Sequence, residues 1–250
     1  MRAIWKGAIG FGLVNIPVKI YSATQDSRPD FDLLERKSLQ RVRYKRVNEN
    51  TGKEVAWDNI VKGHFLKDRY IVLEDADFEE ASPEKTKLIN LQSFISESDI
   101  DSVYFESPYY LSPQKGGEKA YSLLLKALEK TKKAALSTFV MRNTESLAVI
   151  RPYQELLLLN KLRFYEELRP ADDAKVPLTK VSKAEMDMAI QLIKRHSGGF
   201  NVEDYHDEYS NELLKLIRAK ARGKRPTVRK LKPSGTGSKD LLEQLKASLA

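Results

Sequence analysis

The sequence predicts an α+β chain, strand-rich in its first two thirds and helical in its last. Short segments that alternate apolar and polar residues, or concentrate β-branched and aromatic ones, recur from Arg2 to Phe164. Helical periodicity dominates only after Ser182. At 250 residues the chain is long enough for one large domain or two modest ones.

Residues 2–22 open the strand region. Val14, Ile16, Val18 and Ile20 alternate with polar neighbours, and Gly7, Gly10 and Gly12 suggest a bend or tight turn upstream. A second hairpin is expected from Arg41 to Val47, turning through Asn48-Glu49-Asn50-Thr51-Gly52 and returning along Lys53 to Trp57. Arg69–Glu74, Lys85–Ile95, Asp101–Phe105, Ala134–Arg142, Leu147–Arg151 and Glu155–Phe164 are the further strand candidates. So many short strands indicate a barrel or a sandwich. Between them, after the breaker Ser112 to Gly117, Tyr121, Leu124, Leu125 and Leu128 place an apolar stripe on a helix over 118–133. Ser182 and Glu185 form a capping-box pattern opening a helix over 183–195, which Ser197-Gly198-Gly199 closes. Another helix is expected from about Asp204 to Ala221, then a basic flexible linker over 223–237. Leu241, Leu242, Leu245 and Leu249 form a short apolar stripe that needs a partner surface to be stable. The predicted organisation is therefore a core over 1–180, a helical region over 181–222, and a basic linker with amphipathic tail over 223–250.

Forty-three Lys and Arg against thirty-five Asp and Glu give a net charge of +8, and its distribution is uneven. Residues 218–232 hold eight cations and no acid, and residues 36–46 hold six cations and no acid. Residues 68–106 reverse the sign, with eleven acids against three cations. Such sorting creates local potentials that a polyanion feels even where the body sums to neutral.

Several classes of chemistry are excluded. With no Cys there are no disulfides, thiolate zinc sites or cysteine nucleophiles. The longest apolar runs are a few residues, as at Leu156–Leu159, too short to span a bilayer. A charge and a glycine interrupt the N-terminus before any signal-peptide apolar region develops, so a cytoplasmic protein is expected. No phosphate-cradling loop occurs, because Gly7-Ala8-Ile9-Gly10-Phe11-Gly12 lacks the following helix. The histidines at 64, 196 and 206 are scattered, and no catalytic residue, metal site or cofactor is assigned. The acidic group Glu74, Asp75, Asp77, Glu79 and Glu80 leaves a metal-dependent nuclease as a minor alternative, with a plain acidic loop explaining it equally well.

Along an extended strand, Arg41, Arg43 and Lys45 project on one side as a row spaced about 6.6 Å apart. Point charges without patterned Asn or Gln suit phosphates rather than base edges. Sequence-independent binding of double-stranded nucleic acid is the reading, with Arg222, Lys224, Arg225, Arg229 and Lys230 adding a non-specific contribution. An architectural DNA-binding protein without preference for ends is the runner-up.

Met1-Arg2-Ala3-Ile4-Trp5-Lys6-Gly7 and the run from Phe11 to Ser22 resemble the opening of the bacterial Ku family. Arg43 to Val47, Asp58 to Gly63, Pro108 to Leu111, Lys115 to Tyr121 and Tyr205 to Tyr209 resemble it too. The resemblance implies a Ku-type β-barrel core with an extended bridging arm, followed by C-terminal helices. It implies a non-enzymatic homodimeric ring that threads onto double-stranded DNA ends in non-homologous end joining, in the cytoplasm at the nucleoid. It further implies recruitment of the ATP-dependent multifunctional DNA ligase D through the C-terminal region, where Leu241, Leu242, Leu245 and Leu249 are the partner-binding candidates. The DNA-binding candidates are Arg2, Lys6, Arg36, Lys37, Arg41, Arg43, Lys45, Arg46, Lys115, Lys119 and Arg142, together with the tail cations named above. Two departures stand out. Asn48 to Thr51 occupy the turn where many relatives carry Cys, and Thr138 stands where a basic residue is expected.

Overall fold

The computed structural model describes residues 1–81, 87–141, 144–177 and 179–224. By backbone proximity the chain divides into two units: residues 1–26 with 32–169, and residues 27–31 with 170–250.

The first unit is built on a closed seven-stranded barrel. β1 (Trp5–Phe11) and β2 (Val14–Ser22) form a hairpin whose two-residue loop starts with Gly12 at φ +57°, the conformation such a loop needs at its first position. Of the three glycines expected to bend the chain, only Gly12 turns it. Gly7 serves close packing: a Cβ there would lie 2.2 Å from the Lys87 carbonyl and 2.1 Å from the Trp5 ring. Beyond β2 the chain leaves the barrel and forms an arm containing β3 (Lys62–Leu66), β4 (Arg69–Leu73) and α1 (Asp75–Ala81). It returns as β5 (Leu88–Ile95). β6 (Phe105–Pro113), α2 (Glu118–Thr131), β7 (Ala134–Met141), β8 (Thr144–Tyr153) and β9 (Leu156–Leu162) complete the unit. The barrel order is β1-β2-β6-β9-β8-β7-β5, closed by a parallel β5–β1 pairing that sets Ala8 against Leu88.

Alternation fills the interior. Ile16, Val18 and Ile20 of β2 point inward, against Ile9, Ile89, Leu111, Ile150, Leu157 and Leu159 from the other strands, all essentially inaccessible to solvent. β9 reads as a continuous apolar run because Leu157 and Leu159 face the interior while Leu162, on the other face, is buried with Val149 against Ile100, Tyr104 and Phe105. α2 covers the end of the barrel at which β1 passes to β2. Its Tyr121 and Leu128 join the core, and the Tyr121 hydroxyl sits between two strands, donating to the Leu111 carbonyl (2.7 Å) and accepting from the Leu157 N–H (2.7 Å). Burial pushes the Tyr121 phenol up from its ordinary pKa, opposed by the Leu157 hydrogen bond, so the protonated form is the one the fold keeps.

Three expectations change. Residues 105–113 form a strand that Pro108 and Pro113 hide in the sequence, and its pairing with β9 slips between Phe105 and Pro108 to accommodate the missing donor. Residues 102–104 form a 3-10 turn rather than strand, because the Asp101 carboxylate accepts from the Val103 N–H. In the arm, the expected hairpin over 41–57 keeps its turn but not its ladder. Only Val47 bridges Glu54, Gly52 takes a positive φ of +67°, and Asn48 Oδ1 accepts from the N–H groups of Asn50 and Thr51.

In the second unit, α3 (Lys183–His196) opens with the expected capping box, the Ser182 N–H donating to Glu185 Oε2 at 2.7 Å. α4 (Glu208–Ala221) starts later than expected, since residues 202–204 form a separate 3-10 turn and Asp207 is the cap. Asp207 accepts from both the hydroxyl and the N–H of Ser210, which holds its carboxyl below the ordinary range. Among the described residues no helix is long and apolar enough to cross a membrane.

Candidate nucleic-acid interface

The barrel topology places the arm. β2 and β5 both flank β1, so the chain departs at Ser22 and returns at Leu88 at the end of the barrel where β1 begins. Arg2 and Lys6 therefore lie at the root of the arm, on exposed positions. Lys6 is paired directly with Lys19 of β2, whose other neighbour is Ser112. Like charges directly opposed across strands are unfavourable by themselves. Among the described residues no carboxylate lies within ion-pair distance of either ammonium. Lys87 joins them at the returning end, its carbonyl accepting from the Ala8 N–H at 2.8 Å. Lys19 and Lys87 escape a reading of the sequence because each stands alone there; only strand register brings them beside Lys6.

Lys115 enters the same neighbourhood through Gln114. The Gln114 side-chain amide donates to the carbonyls of Gly7 (3.1 Å) and Val18 (2.9 Å), and its N–H donates to the Pro17 carbonyl (2.8 Å), fixing the turn that carries Lys115 against β1 and β2. Lys119 is exposed in the first turn of α2.

Along the arm the six cations are all exposed but not equivalent. Arg41 is bridged to Leu34 and its guanidinium is held by Asp32, and Lys45 reaches Glu54 at 2.6 Å. The Arg46 guanidinium lies over the Trp57 ring, 4.0 Å from its centroid. Arg36, Lys37 and Arg43 have no carboxylate at ion-pair distance among the described residues. The expected row of three equivalent cations is thus two neutralised ones flanking a bare Arg43. The acidic partners are brought in by the isolated bridges Leu34–Arg41 and Val47–Glu54, which set Asp32 beside Arg41 and Glu54 beside Lys45. Exposed pairs of this kind are worth about 0–1 kcal/mol, so phosphate can replace either carboxylate at small cost.

Arg222 and Lys224 lie at the C-terminal end of α4, in the second unit. Arg142, Arg225, Arg229, Lys230 and the stripe Leu241, Leu242, Leu245 and Leu249 lie outside the described residues. The β7–β8 pair closes at Met141 and Thr144, at the same end of the barrel as the root of the arm. Thr138 is on β7 and its hydroxyl accepts from the Gln92 amide at 3.2 Å. The acidic group runs from Glu74, just before α1, into the helix, where the Asp77 carboxylate accepts from the Glu74 N–H. Among the described residues no three His, Asp or Glu side chains gather as metal ligands.

A closed seven-stranded barrel that extrudes a cation-bearing arm between two strands flanking its first strand defines a barrel-and-arm protein. Residues 10–188 match the family model described as the Ku70/Ku80 beta-barrel domain. The chain is 38% identical over 257 residues to the "Non-homologous end joining protein Ku" of Coxiella burnetii, covering 99% of this chain and 94% of that one. It is 39% identical over 255 residues to the protein of that name from Archaeoglobus fulgidus, covering 100% and 98%, and 41% identical over 225 residues to that of Pseudomonas aeruginosa, covering 88% and 77%. The chain belongs to the Ku family. Among solved structures, the SPOC domain of human PHD-finger protein 3 aligns at a TM-score of 0.31 and 13% identity over 64% of this chain and 95% of that one.

Proposed function

We propose that this protein acts in non-homologous end joining, binding double-stranded DNA ends without regard to sequence as a homodimeric ring and recruiting an ATP-dependent DNA ligase. It works by binding and holds no catalytic residue of its own, in the cytoplasm at the nucleoid. The observation that carries this reading is two groups of cations with no carboxylate at ion-pair distance among the described residues, Arg2, Lys6 and Lys19 at the root of the arm and Arg36, Lys37 and Arg43 within it, with no patterned Asn or Gln side chains beside them to read base edges. A protein that accepts any broken end gains from phosphate contacts weak enough to slide and from closure that holds by topology.

The second chain of the ring is supported by the composition of the arm surface. Phe65 and Tyr70 meet edge to face at 5.2 Å across β3 and β4, and both stay largely exposed, as do Leu66 and Val72. A two-stranded ribbon is marginal without a surface to cover its apolar side chains, and a second copy supplies one. The apolar stripe Leu241, Leu242, Leu245 and Leu249 is the proposed contact for the ligase. Linear duplex is expected to bind far more tightly than covalently closed circular DNA of equal mass in an electrophoretic titration. Equal affinity for the two would return the protein to the architectural class. Removal of residues 238–250 is expected to reduce ligase stimulation while leaving end binding intact.

A further inference from the structure

The other end of the barrel carries a feature that DNA binding does not use. α2 lies across it with a gap on one side, an apolar groove of about 490 Å³. Its barrel wall is Phe11, Val14 and Phe94, the two rings meeting edge to face at 5.2 Å. Its helix wall runs from Ala120 through Leu123, Leu124 and Ala127 to Thr131, a stripe about 16 Å long at 1.5 Å per residue. The walls remain open to solvent: Leu123 is 71% exposed, Val14 50% and Phe11 48%.

The helix side of this groove carries a row of lysines. At 3.6 residues per turn, Lys119, Lys126 and Lys130 all fall within about 60° of Leu123 around the helix axis. The only acids of α2, Glu118 and Glu129, fall well away from it, and Glu118 is engaged by the Gly116 N–H. Lys133 lines the far end of the groove, its ammonium donating to Ser96 Oγ at 3.0 Å. Among the described residues no carboxylate pairs with Lys119, Lys126 or Lys130. An open apolar trough several turns long, with a cationic rail beside it, complements an amphipathic helix whose apolar stripe is edged by carboxylates. Duplex DNA would use the rail and leave the trough wet.

We infer that the groove between α2 and the β1–β2 hairpin is a docking site for an acidic amphipathic helical segment of a partner protein. The groove lies at the barrel end opposite the arm, so this docking is separate from the reading of DNA binding. The test is fluorescence anisotropy of the full chain with a labelled synthetic helix of about 14 residues, with leucines at i, i+3, i+4 and i+7 and glutamates flanking them. An isomer with lysine for glutamate is the control. Saturable binding of the acidic peptide is expected, weakening as salt rises and absent for the lysine isomer. Lys126→Glu combined with Lys130→Glu, and separately Leu123→Glu, should each weaken it at least about tenfold while retention on linear DNA stays unchanged. All three side chains are exposed, so the barrel should melt as in the parent chain. Equal binding of both peptides, no saturation, or unaltered affinity in these variants would overturn the proposal. So would a dimer-to-monomer shift of Leu123→Glu in sedimentation, which would assign the groove to a second copy.

Discussion

The barrel and the arm belong to the same unit and are held in opposite ways. Every strand of the barrel has two neighbours and sends alternate side chains into a sealed interior. In the arm, residues 32–81 contain no buried side chain, and order comes from isolated bridges, the Asn48 turn, exposed ion pairs and one short ribbon. Burial of the interior side chains is what stabilises the barrel. The arm instead keeps its side chains on the surface, cationic on one set of positions and apolar on another, as the proposed contacts with DNA and a second copy require.

The largest expected difference is in stability. Ile150→Ala, at a fully buried position, should cost about 2–5 kcal/mol in urea unfolding, whereas Val72→Ala in the arm should stay within about 0.5 kcal/mol when the chain is dilute. A large loss from Val72→Ala at low concentration would show that the arm has a core of its own. Next is the link between α2 and the barrel. Tyr121→Phe leaves the buried Leu157 N–H and Leu111 carbonyl without their shared partner, at about 1–3 kcal/mol for each unsatisfied group. Because burial raises the phenol pKa, its contribution to stability is full below the ordinary value of 10.0 and is lost as pH rises through the folded value. Thermal melts of Tyr121→Phe should therefore lose that part of the alkaline dependence.

The arm should reveal itself in DNA binding and leave stability alone. Changing Arg36, Lys37 and Arg43 together to Ser should flatten the log–log salt dependence of duplex binding by up to about 2.7, at about 0.9 per phosphate contact, with little effect on the melt. An unchanged slope would remove the arm from the interface. The smallest effect is the most diagnostic of barrel register. Lys19→Gln should lower the slope by about 0.9, and it should raise stability by about 0.2–1 kcal/mol through relief of the Lys6 opposition. A loss of stability would mean that the pair is satisfied in the free protein.

Much of the barrel was legible in residue order. The alternation in 14–20 gave the inward set of β2, and the i, i+3, i+4, i+7 stripe of α2 gave its packed face. The capping box at Ser182 placed the start of α3. β6 was not legible because its prolines read as breakers, although a strand tolerates Pro108 where the ladder slips. β3 was missed because a five-residue ribbon exposed on both sides carries no alternation to detect. Of the candidate interface, the run from Arg36 to Arg46 was visible as charge density, but its division into paired and bare cations depended on which acids the turns bring back.

Residue order by itself settled that there is no cysteine chemistry, and it settled the sign and place of the charge runs. It also settled the strand and helix periodicities, because these are properties of composition and of contacts a few residues apart. The tertiary structure decided which distant residues become neighbours. Closure of the sheet put both ends of the arm beside β1, register set Lys19 against Lys6, and packing of α2 across the barrel left a groove edged with lysines. Each of these depends on pairing between segments far apart in the chain, which local propensity does not encode.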